Sequence, residues 1–208
     1  MLKTMKNPDT INWEISVGVT FASFMSAVTL FFAGAVISQY KNFDDSIKIP
    51  LLFLIISTFS FIFAASIYSN AGLEVTANRP GRIKRYLIYA NNILEFLGLY
   101  LFIIATPMVI SALTKDDFLR VTTITVALVG LFFYSQSEFS ILEHETRSHS
   151  VKIAIATIIT MLAMCLYFAQ YIGIGNQHFF YNFVATVLLL FIVGMTTYFC
   201  QRSQQYRS

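Results

Sequence analysis

The sequence predicts an all-α membrane protein, a bundle of six transmembrane helices forming a single domain over residues 1–208, with both termini in the cytoplasm. Three observations predict it: the composition, the spacing of the apolar runs, and the distribution of basic residues. Of 208 residues, 56% are hydrophobic and only 12% are charged, about half the charged share of an ordinary soluble domain. The mean hydropathy is +0.66, so most side chains must face another apolar phase.

The apolar residues fall into six runs, at 15–39, 49–69, 87–113, 121–142, 151–172 and 179–200. Each has the roughly 20 residues that a helix needs to cross a hydrocarbon core about 30 Å thick. A soluble amphipathic helix would interrupt such runs with charge every three or four residues. The connections are short, and none has the length of a folded domain. The first run is longer than the apolar core of a cleaved signal, and Asp9 and Glu14 precede it, so a first span is expected rather than a removable leader.

Orientation follows from Lys and Arg next to the spans. Lys3, Lys6, Arg79, Arg82, Lys84, Arg85, Arg147, Lys152, Arg202 and Arg207 fall on one side. Lys41, Lys48, Lys115 and Arg120 fall on the other. The excess assigns the first side, with both termini, to the cytoplasm of a cell membrane.

Within the first run, Gly18, Ala22 and Ser26 recur every four residues, a spacing that lets another helix backbone approach closely. Packing within the chain is the stronger expectation and a subunit contact the weaker. Pro107 interrupts the third run; it removes one backbone donor and is expected to kink the helix near its outer end.

Carboxylates inside a membrane are costly, about 2.5–3.5 kcal/mol even on insertion scales, and mark functional sites by default. The third run carries Glu95, with Asn91 and Asn92 four and three residues before it, a spacing that places all three on one helix face. The fourth run carries Glu138 beside Ser135 and Gln136. Both groups are predicted in the cytoplasmic third of the bilayer, where they would line a wet cavity or reach headgroup water. Arg79, Arg82, Lys84 and Arg85 are read as a cytoplasmic loop. Its plainer role is to fix topology against the lipid bilayer, and its sharper role is an anion site for a nucleotide, an oligonucleotide or a lipid headgroup.

Other chemistry finds little support. His144 and His149 are five residues apart, whereas a zinc-protease helix needs four. Cys165 and Cys200 have no metal or disulfide spacing. There is no glycine-rich phosphate loop and no internal repeat, so no cofactor, metal or enzymatic activity is expected. The leading functional expectation is a homo-oligomeric ion channel or pore, with Ser16, Thr20 and Ser23 as candidate lining hydroxyls and Glu95 setting charge near its inner mouth. An anionic cytoplasmic ligand would gate it, and a membrane-depolarising defence effector is one setting. The alternatives are a small secondary transporter with Glu95 as proton or cation site, and an accessory subunit of a larger membrane complex.

Overall fold

The computed structural model describes residues 8–43, 45–77, 79–136, 149–172 and 178–202. Among them every regular element is helical. The six long helices are α1 (Pro8–Ser38), α2 (Lys48–Thr76), α3 (Pro80–Leu113), α4 (Asp117–Gln136), α5 (His149–Ile172) and α6 (His178–Arg202). All six are long and apolar enough to cross a membrane.

Three helices extend seven residues past one end of their apolar runs. α1 begins at Pro8, seven residues before residue 15, and α3 begins at Pro80, seven before residue 87. α2 continues to Thr76, seven residues beyond 69. Hydropathy sees only the part that favours hydrocarbon, while the polar turns at each end still satisfy their backbone internally. The basic segment predicted as a loop therefore forms the opening turns of α3. Pro80 stands at its first position, where a missing N–H costs nothing, and the Arg82 and Ile83 amides donate to the Arg79 carbonyl at 3.1 and 3.2 Å. Only residues 77–79 separate α2 from α3.

The turn between α3 and α4 is closed by two side chains. The Phe118 and Leu119 amides donate to Asp116 Oδ1 at 2.9 and 3.1 Å, an N-cap that satisfies two orphan donors. Arg120 reaches back to the end of α3, donating from Nε to the Thr114 carbonyl at 2.6 Å and from Nη2 to that of Ser111 at 3.0 Å. A cation on the last carbonyls of a helix also opposes its dipole. At the start of α2, the Tyr181 hydroxyl of α6 donates to the Ser46 carbonyl at 3.0 Å.

α3 lies at the centre. It packs against α2, α4, α5 and α6, whereas α1 rests mainly on α2. Of its apolar stretch 67% is buried, against 22% for α1 and 11% for α4. One apolar cluster joins α1, α2 and α3 through Ala22, Phe61, Tyr68 and Leu94. The other draws on all six helices, with Phe96 of α3 stacked on Phe199 of α6 at 5.9 Å.

The outer faces carry large apolar groups, among them Phe24 and Phe31 of α1 and Phe132 and Phe133 of α4. Soluble monomers rarely expose such patches. Exposed hydroxyls turn inward onto their own helices. Thr125, Thr157, Thr186 and Thr197 each donate to the carbonyl four residues earlier, at 2.8–2.9 Å. That is the solution a hydroxyl needs where no water is at hand. Both features are compatible with a multi-pass membrane protein.

Candidate functional site

The irregular part of α3 surrounds its carboxylate. Between α-helical turns at Pro80–Asn92 and Leu101–Leu113, the segment Ile93–Tyr100 is π-helical. Such stretches are rare and collect at functional sites, because the wider turn is intrinsically less favourable. Two features of α2 fit this one. Gly98 lies so close to Phe61 that an added Cβ would stand 2.7 Å from its Cε1. The Ser57 hydroxyl, also on α2 and one turn away from Phe61, donates to the Gly98 carbonyl at 2.7 Å in a buried bond. The Leu101 amide closes the stretch on that same carbonyl.

Further along α3, Pro107 lies inside a helix that continues to Leu113. Neighbouring carbonyls are met from α5. The Tyr167 hydroxyl donates to Ile104 O at 3.3 Å and Gln170 Nε2 to Met108 O at 2.9 Å. Side-chain donors of this kind are how a helix tolerates proline in an apolar phase.

Glu95 sits inside the π-helical stretch and is 7% exposed. It stands fifteen residues after Pro80 and eighteen before Leu113, so it lies near the middle of the helix and deeper from the helix start than the apolar run alone indicates. Asn92 is 3% exposed and donates from Nδ2 to the Ile88 carbonyl at 2.8 Å. Asn91 turns to α2, where its Oδ1 accepts from the fully buried Tyr68 hydroxyl. Glu14 of α1 is within electrostatic reach of Tyr68. Asn91 is thus committed to the contact with α2, while Asn92 and Glu95 are the two buried polar groups of α3. Ser135 and Gln136 close α4, but their side chains and Glu138 lie outside the described residues.

The basic residues gather where α2 meets α3. Glu74, near the end of α2, approaches Arg82 Nη1 at 3.4 Å and Arg79 Nη1 at 3.8 Å. Both guanidinium groups are more than half exposed, and such pairs contribute little to stability. Arg85 lies over the Tyr86 ring, 5.7 Å from its centroid, and Lys84 is half-buried. Sequence reasoning missed Glu74 as their counter-charge because it treated 70–86 as a loop, in which fixed pairing is not expected. A helix through Thr76 brings the carboxylate beside the first turn of α3.

The small residues of α1 divide between two faces. Gly18 packs on Tyr68, where an added Cβ would stand 2.6 Å from ring carbons Cε1 and Cζ. Ala22 is fully buried, and the partly exposed Ser26 donates to the Ser23 carbonyl at 2.7 Å. Ser16, Thr20 and Ser23 all lie on the exposed face of α1, away from Glu95.

Among the described residues no three His, Cys, Asp or Glu side chains are grouped to hold a metal ion. What this part of α3 encloses is one carboxylate, that of Glu95, and one amide side chain, that of Asn92. No family model, curated protein or solved structure matches this chain.

Proposed function

We propose that this chain is a multi-pass protein of the cell membrane, with both termini cytoplasmic, that moves a proton or small cation by way of Glu95. The observation that carries the reading is a carboxylate enclosed at mid-length in the most buried helix, within a π-helical stretch. Placing a carboxylate in hydrocarbon costs several kcal/mol, and its usual return is an ion or proton pathway. Orientation rests on the excess of basic residues flanking the cytoplasmic ends of the spans. Burial of Glu95 within one chain favours a transport site inside the subunit over a charge lining a shared axis.

A second reading is a homo-oligomeric pore gated by an anionic ligand at Arg79, Arg82, Lys84 and Arg85. It is favoured by two observations: the hydroxyls Ser16, Thr20 and Ser23 face outward from α1, and Gly34 on that helix has open space beside it. In that case the path would run between copies and Glu95 would be structural.

Purified protein in sealed vesicles tests the proposal. An imposed proton or monovalent-cation gradient is expected to dissipate faster than in protein-free vesicles, followed with a pH-sensitive dye or by isotope uptake. Vesicles containing folded protein that remain as tight as empty ones to protons, sodium and potassium would overturn it.

A further inference from the structure

α2 presents two fittings to α3 from one face. Ser57 and Phe61 are four residues apart, hence neighbours on the helix surface. The hydroxyl grips the Gly98 carbonyl, and the ring occupies the volume that a side chain at Gly98 would take. Both Ser57 and Phe61 are fully buried, so neither contact is replaced by water. A regular α-helix needs no such help, because each carbonyl accepts an amide four residues on. A π-helical stretch is the less favourable arrangement, and a donor from outside the helix shifts the balance towards it.

We propose that Ser57 is a positioning residue for Glu95: its hydrogen bond to Gly98 holds α3 in the π-helical register and so fixes the direction in which the carboxylate points. This rests on the reading of Glu95 as the ion site. Returning one residue from π to α geometry rotates the remainder of the helix by about 100°, the angle per residue of a 3.6-fold helix. Both ends of α3 are anchored against such a rotation. Towards the start of α3, Asn91 is tied to Tyr68. Towards its end, Tyr167, Gln170 and Arg120 hold the carbonyls of Ile104, Met108, Ser111 and Thr114. A change of register has to be taken up between these anchors, in the stretch that holds Glu95 and in which Phe96 stacks on Phe199 of α6. Two registers would present one carboxylate to two sets of neighbours, which is what alternating access requires of an ion site.

The test reads the register without relying on transport. In a chain carrying Cys165→Ser, Cys200→Ser and Glu95→Cys, the reaction rate of the introduced thiol with a small methanethiosulfonate reports its surroundings. Adding Ser57→Ala is expected to change that rate about tenfold, as loss of a buried hydrogen bond shifts the equilibrium between registers. Ser57→Thr, which keeps the hydroxyl, is expected to preserve the parental rate. Gly98→Ala attacks the same contact from the other side and is expected to give a similar change, relieved by Phe61→Leu. It also serves if Ser57→Ala does not fold. A rate within about twofold of the parent in both Ser57→Ala and Gly98→Ala overturns the proposal. With Glu95 intact, Ser57→Ala is expected to slow flux. A register change in a chain that carries no flux overturns the transport reading alone.

Discussion

Glu95→Gln is expected to abolish ion movement while leaving the fold intact. The substitution preserves shape, exchanges one acceptor oxygen for an amide donor, and removes the charge and the titratable carboxyl. A positioned side chain that passes protons contributes about 100-fold or more to the process it serves, so flux is expected to fall to the leak of empty vesicles. Stability is expected to move the other way or not at all, since a neutral amide avoids the cost of holding a carboxylate in an apolar interior. Glu95→Asp keeps the charge but withdraws it by one methylene, and partial flux is the expected result. The measurements are initial flux rates and thermal unfolding in detergent for the three proteins side by side. A Glu95→Gln protein that unfolds at the parental temperature and carries parental flux would remove this residue from the pathway.

The largest effect on stability is expected at Gly18. A Cβ there would stand 2.6 Å from two carbons of the Tyr68 ring. That ring is 1% exposed and its hydroxyl is held by Asn91, so it has little freedom to retreat. Overpacking of this kind costs about 1–3 kcal/mol for small additions. Gly18→Ala is accordingly expected to lower the unfolding temperature clearly, and Gly18→Leu to separate α1 from α2 and prevent recovery of monodisperse protein. Gly34→Ala is the internal control. It lies on the same helix with nothing within 4 Å of an added Cβ, and alanine is favoured over glycine in a helix by about 1 kcal/mol. Its unfolding temperature is expected to stay level or rise. Equal effects at both positions would mean that Tyr68 does not sit on Gly18.

The six helices are legible because an apolar phase admits few solutions: each span must be a continuous apolar helix. Their ends are not, because Asp9, Glu14, Glu74, Arg82 and Arg85 ride on helical turns beyond the apolar runs, where hydropathy carries no signal. Glu95 accordingly lies near the middle of a helix that starts at Pro80, although it stands only eight residues into the apolar run that starts at 87. The carboxylate itself is visible as a charge in an apolar run. The π-helical stretch around it is not, since its supports, Ser57 and Phe61, come from α2, some forty residues earlier in the chain. Arg120 gives the same lesson. Read alone it counts towards orientation, and only the fold shows it closing the last turn of α3.

Whether the ion path lies inside one chain is tested most directly by diluting the protein. In vesicles prepared at protein-to-lipid ratios where most hold one chain or none, the fraction that dissipates an imposed gradient can be counted against the fraction containing protein. A site built round Glu95 within the subunit predicts that the active fraction rises in proportion to protein from the lowest dose. An active fraction that stays at zero until several chains share a vesicle, then rises steeply, would contradict it and place the path between copies.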